Sequence, residues 1–464
     1  KFVIYKFGYK RHLMSVGKFT IFSIILMIIF SGCATPFSIA IKPTQYSNKF
    51  IQADCGDYLK YQLEIAKSYD TIYTAINSAS IARICQDFTL SNELLDLAED
   101  SYKYDVDLEN IATKALRLTA GILLNESFAD YDGNLYERIM VNVYKGLNFM
   151  SLGDFANARV EFNRALIRQD MAKDYFAAQI AAAKEQAEKN RKNDPYYKQN
   201  LQNSKIVYDE YSHLLNEFKT SEVFTNPYAT YIAAVFYYLD KDYKNSADTF
   251  AKISIANPKN KQFARINQIL QNRANQTKND KKRYIFLAYE DGLGTIKDEF
   301  SLNIPYLLNG GVATLNLSLP MLKKRDYSYK NININGINST KVSDFDDIFA
   351  TEFKIELPFI ITKSILSMAL KSTATAVMAD KVGGNASLLA TLLISATNKA
   401  DTRAWQTLPK SANIAMVDNN GKFEIKDNSG KILVKGELDK SKDALIWLRS
   451  AAKDRPITTI IIQR

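Results

Sequence analysis

Two clusters hold the side chains best suited to chemistry. Glu290 and Asp291 stand side by side at the end of an apolar run, and Asp401, Arg403 and Trp405 alternate over five residues. Paired carboxylates are the equipment of glycoside hydrolysis, one as acid and the other as base or nucleophile. An arginine beside a tryptophan can hold a sugar or a carboxylate. The structural alternative is as concrete: Asp401 pairs with Arg403 or caps a turn, and Trp405 fills a boundary between sheet and helix. Other chemistries lack reagents. Histidine occurs only at His12 and His213, so a histidine-built metal centre or a histidine-centred nucleophile triad has almost nothing to draw on. Gly292, Gly294, Gly383 and Gly384 lack the context of a phosphate loop. No metal and no cofactor is expected.

The elements that would position these clusters fall into four segments: 1–32, 33–52, 53–280 and 281–464. In the first, residues 19–30, FTIFSIILMIIF, form an apolar run behind Lys18. Twelve residues are short for a bilayer span and suit the apolar part of a signal peptide, with Met14 as the expected start. The sequence Phe30-Ser31-Gly32-Cys33 resembles a bacterial lipoprotein signal. That resemblance implies cleavage before Cys33, acylation of its thiol and amine, and, with Ala34 following, residence in the outer membrane facing the periplasm. Acyl chains are anchored by burial at about 0.8 kcal/mol per CH₂. Residues 33–52, with Pro36 and Pro43, read as a tether. In an oxidising compartment Cys55 and Cys85 are either a disulfide or two separate buried thiols.

The formal charge is +10, but residues 1–32 hold five basic residues and no acid. Outside them 55 basic residues face 50 acidic ones, an excess of +5, which gives no ground for a nucleic-acid partner.

From 53 to 280 the pattern is helical and repetitive. The segment 139–172 resembles a tetratricopeptide repeat, with Gly146, Phe149, Gly153, Phe155, Ala158, Phe162 and Ala165 on signature positions. Small residues there let two antiparallel helices approach, aromatic residues fill the wedge between them, and Gly153 supplies the turn. Lys145 departs from the leucine usual in the repeat. A second copy spans 227–260, through Tyr237, Tyr243, Phe250 and Pro258. A weaker third spans 72–105, through Ala79, Ala82, Phe88, Ser91, Leu95 and Ala98. Such units need neighbours to bury their faces, and further helices are expected near 107–125 and 200–219. Arrays of this kind bind peptides or partner domains along a curved surface.

Beyond 280 the period changes. Strands are expected at 284–292, 311–320, 329–335, 411–417, 422–427, 431–437 and 456–464. The segment 359–401 reads as a pair of helices on that sheet, with Lys363, Lys371, Asp380 and Lys381 interrupting any membrane span. The expected architecture is therefore multidomain, an all-α helical-repeat body followed by an α+β domain.

Three segments, YKGLNFMSLGDFANARVEFNRA (144–165), YEDGLGTIKDEFSLNIP (289–305) and KADTRAWQTLP (399–409), resemble an uncharacterised family of tetratricopeptide-like bacterial envelope lipoproteins. The resemblance covers nearly the whole chain and implies company with outer-membrane lipoproteins of the curli-secretion-related kind. It carries no catalytic residues. The function expected from these readings is a non-enzymatic, lipid-anchored scaffold for envelope proteins or lipoproteins. The alternative is a cell-wall glycan-binding protein or hydrolase using Asp401, Arg403 and Trp405.

Overall fold

The computed structural model describes residues 43–102, 131–172, 174, 197–221, 225–276, 282–308, 311–382 and 398–464. Cys33, the apolar run before it and the helix expected at 107–125 lie outside them. Tyr46–Arg464 form one compact unit. The boundary at 280/281 therefore marks a change from helix to strand and does not separate two packing units.

The tether expectation is corrected at its end. Residues Pro43–Ile51 form helix α1, and Tyr46 and Phe50, four residues apart on one face, are buried. Proline signals a break inside a helix, but here Pro43 is the first helical residue, where its missing N–H costs nothing.

After α2 (Tyr58–Ser68) come three helical hairpins: α3 (Thr71–Ile84) with α4 (Phe88–Ser101), α5 (Leu135–Ser151) with α6 (155–172), and α8 (Pro227–Leu239) with α9 (Tyr243–Ala256). Helix α7 (Tyr197–Leu215) lies between the second and third in sequence, and α10 (Lys261–Ala274) follows. The three hairpins share one local construction. Gln86, Gly153 and Lys241 each take a positive φ, of 62°, 78° and 63°. An aspartate follows in each case, and its side chain caps the second helix: Asp87 accepts from the Leu90 amide, Asp154 from Asn157 and Asp242 from Asn245. Twelve residues separate a further recurring pair, Ser91 Oγ donating to the Ala79 carbonyl at 2.9 Å and Ser246 Oγ to Ala234 at 2.7 Å. In the middle hairpin Gly146 and Ala158 occupy those places, and the Phe162 ring fills the space a Cβ on Gly146 would need.

Neighbouring hairpins interlock. Asn148 on α5 donates to Ser91 and Asn92 on α4, and Phe162 on α6 meets Phe236 on α8 with ring centres 4.9 Å apart. Arg159 bridges Asp240 and Asp242 at the third hairpin's turn.

The strands make a central sheet ordered β11-β10-β1-β7-β6 and a smaller sheet ordered β5-β4-β8-β9. Their spans are β1 Tyr284–Asp291, β4 Ile332–Ile334, β5 Ile337–Asn338, β6 Thr340–Asp344, β7 Ser411–Asp418, β8 Lys422–Asp427, β9 Ile432–Glu437, β10 Ala444–Ser450 and β11 Ile457–Gln463. β1 runs parallel to β10 and antiparallel to β7. One face of the central sheet, including Ile285, Leu287, Ile446 and Leu448, packs on Ile334, Phe423 and Ile425 of the smaller sheet. The other face meets the helices: Phe286 contacts Tyr238, and Trp447 lies under Arg83. Helix wall, central sheet and small sheet are thus three layers, which is why β1 and β10 are buried on both sides.

β2 (Ile296–Leu308) and β3 (Gly311–Lys323) form a long separate hairpin beside α7 and α11. Helix α11 runs Phe345–Val382 with Pro358 inside it. It begins fourteen residues earlier than the helix pair expected from 359, because β6 feeds directly into an acidic first turn at Asp346 and Asp347. Residues 383–397, which would include the second helix, lie outside the described residues.

Candidate functional site

The three segments that carried the family resemblance meet at the junction of the helix wall and the central sheet. Glu290 is at the end of β1, and side-chain alternation turns it toward the helices. Its Oε1 accepts from Tyr228 at 2.7 Å and from Trp447 Nε1 at 2.9 Å, and its Oε2 accepts from Tyr144 at 2.9 Å. Arg449 Nε lies 3.6 Å from the same carboxylate. Burial, and then the Glu290 charge, pushes the Tyr144 and Tyr228 phenols well above their ordinary range, so both remain donors. Arg83 completes the group. It is buried, donates to Asn148, and stacks between Tyr144 and Trp447 with its guanidinium 5.5 and 4.4 Å from their ring centres. Burial works against its charge and Glu290 opposes that effect.

Asp291 faces the opposite way. It accepts from Tyr289 Oη at 2.5 Å and from three successive amides, Ser328, Tyr329 and Lys330, at 2.9–3.1 Å. The two adjacent acids therefore do not face a common site. Each is fully buried on a different face of one strand, and its oxygens are engaged by the protein's own donors.

Asp401, Arg403 and Trp405 form a strap across the helices. Arg403 donates to both Asp401 oxygens at 2.9 Å and to Asp70 at 2.9 Å. Burial acts to raise the Asp401 carboxyl, but the Arg403 hydrogen bonds and charge outweigh it and hold the acid below the usual range. Trp405 is 1% exposed: its amide donates to Glu137 at 2.7 Å, its indole to Ser80 at 2.8 Å, and its ring meets Tyr144 edge-on. The strap then closes on the loop after β1, where Gly294 N donates to the Leu408 carbonyl at 2.9 Å. Gly294 is required there, since a Cβ would sit 2.9 Å from the Pro409 carbonyl.

The remaining sequence candidates fall into two groups. Ala158, Phe162, Ala165 and Phe250 are buried between helices, whereas Phe149, Phe155 and Tyr243 are half-buried and Pro258 is exposed just past α9. Cys55 and Cys85 are joined in a disulfide. Lys145, the departure from the repeat pattern, is buried in an ionic cluster with Glu99, Glu161 and Asp96.

Arg83, Glu137 and Arg449 were missed in the sequence, although a signal existed for two of them. Arg83 is the single charge of α3, and Arg449 the single charge of β10. A lone charge in an apolar element needs a buried partner. Among the described residues no group of three metal-ligating side chains occurs, and no helix is long and apolar enough to cross a membrane. Comparison with protein-family models, curated proteins and solved structures gave no match.

Proposed function

We propose that this protein is a lipid-anchored envelope scaffold, held to the membrane by acylated Cys33, whose tetratricopeptide-like hairpins present an outer surface to partner proteins. The supporting observation is the division of labour within the hairpins. The first helices, α3, α5 and α8, are buried along nearly their whole length under the central sheet and the Trp405 strap. The chain therefore fills with its own residues the wall that such an array would otherwise offer to a ligand. Partner binding then falls to the second helices. On α6 the exposed side chains Val160, Ile167 and Met171 share one face, at 42%, 58% and 64% exposure. The disulfide accords with a periplasmic body.

The anchor is tested by metabolic labelling with a palmitate analogue. Label should enter the wild type and be absent from Cys33→Ser; equal labelling of both would remove the anchor from the proposal.

A further inference from the structure

The edges of the two sheets are protected unequally. Both outer strands of the central sheet lie against a helix, β6 against α8 and β11 against α5, but only β6 carries a register shift, at Lys341/Ser343. β5 has two residues, and β9 carries Lys435, Glu437 and a register shift in its pairing with β8. These are the usual devices that keep an edge from pairing with another chain. β11, Ile-Thr-Thr-Ile-Ile-Ile-Gln, has no ionisable side chain, no proline and no irregularity against β10. Six of its seven residues are β-branched.

Its register shows which groups are open. Asp443 and Arg464 exchange both backbone hydrogen bonds at 3.0 Å. Antiparallel alternation then directs Thr458, Ile460 and Ile462 toward β10, and leaves the N–H and C=O of Ile457, Thr459, Ile461 and Gln463 pointing outward. No described strand pairs with that side. Ile461 is 42% exposed, while Ile460 and Ile462 are each 6% exposed.

We propose that β11 is an association edge at which a second copy of this chain adds its own β11, antiparallel, about a two-fold axis at Ile460. Only outward-facing residues then exchange backbone hydrogen bonds: Thr459 with the partner's Ile461, and Ile457 with the partner's Gln463. The strand is self-complementary because it brings no charge to its own copy. The nearest flanking cations are Arg455 and Arg464, and Arg464 is held by Asp240. Two five-stranded sheets would become one continuous sheet.

The test is the solution mass of the purified full chain in detergent, measured by light scattering across a dilution series. The wild type should have twice the polypeptide mass, falling to one on dilution. Ile461→Lys puts a charge on the exposed edge, and Thr459→Pro removes an outward N–H without breaking a bond to β10. Both should have the mass of one chain with unchanged circular dichroism. Hydrogen exchange on the unmodified chain provides a readout independent of any variant: the amides of Ile457, Thr459, Ile461 and Gln463 should lose protection on dilution. A wild type with the mass of one chain throughout, folded variants that keep the doubled mass, or edge amides unprotected at high concentration would each overturn the proposal.

Discussion

At Glu290 three neutral donors and one arginine converge on a single carboxylate in the space between helices and sheet. Such an acid joins layers, because its donors Tyr144 and Tyr228 come from the helix wall and Trp447 from β10. Glu290→Ala should cost about 3–5 kcal/mol in denaturant unfolding, since it strands Arg449 and Arg83 in the core. Loss under about 1 kcal/mol would show that the cluster does not hold the layers together. Glu352 on α11 makes a second long-range join, accepting from the Leu135 and Tyr136 amides at the start of α5. Burial, and then nearby Glu356, pushes its carboxyl up to about 8. A raised carboxyl holds its proton more tightly in the folded state than in the unfolded one. Its contribution is therefore complete below the ordinary glutamate range and is lost as pH rises through about 8. The unfolding midpoint of the wild type should fall between pH 5 and pH 9 more steeply than that of Glu352→Gln, and parallel curves would refute this. At this scale the sequence was least legible. Glu290 and Asp291 are neighbours in the chain, yet strand alternation separates them, and their partners Tyr144, Tyr228 and Ser328 come from distant segments.

At the scale of elements, the helical hairpins were readable because their determinants are local. A residue with positive φ, an aspartate cap and an aromatic residue recur at Gln86-Asp87-Phe88, Gly153-Asp154-Phe155 and Lys241-Asp242-Tyr243. The strands were less so. β10 is buried on both faces and shows no alternation, and β2 and β3 contain Pro305 and Pro320. Those prolines are tolerated in a two-stranded hairpin in which each strand has an edge. The close approach of α5 and α6 can be tested directly. Alanine is the better helix former, yet its Cβ at position 146 would lie 2.6 Å from the Phe162 ring. Gly146→Ala should therefore destabilise by about 1–3 kcal/mol, and Phe162→Leu in the same chain should recover part of the loss. A stabilised Gly146→Ala would contradict the packing. Reduction of Cys55–Cys85, or the double serine variant, should cost about 2–4 kcal/mol in the same assay, and no change would mean that the link constrains little.

At the scale of the molecule, composition and period separated helix from strand near residue 280 but did not reveal that the two halves share a core. That information lies in pairings across the chain: Arg83 with Trp447, Trp405 with Ser80 and Glu137, Tyr231 with the Leu287 carbonyl. Residues 282–464 expressed alone should thus fail to give a cooperative unfolding transition, because Glu290, Trp447 and Arg449 would face water. A cooperative, soluble fragment would restore two independent domains. The scaffold reading itself is tested most directly by affinity capture of the full chain from detergent-solubilised envelopes, comparing wild type with Ile167→Asp/Met171→Asp. If the chain is a scaffold, a stoichiometric protein partner should come down with the wild type and be absent from the folded double variant. Repeated capture of the bait alone, or a partner retained in full by the variant, would contradict the scaffold reading.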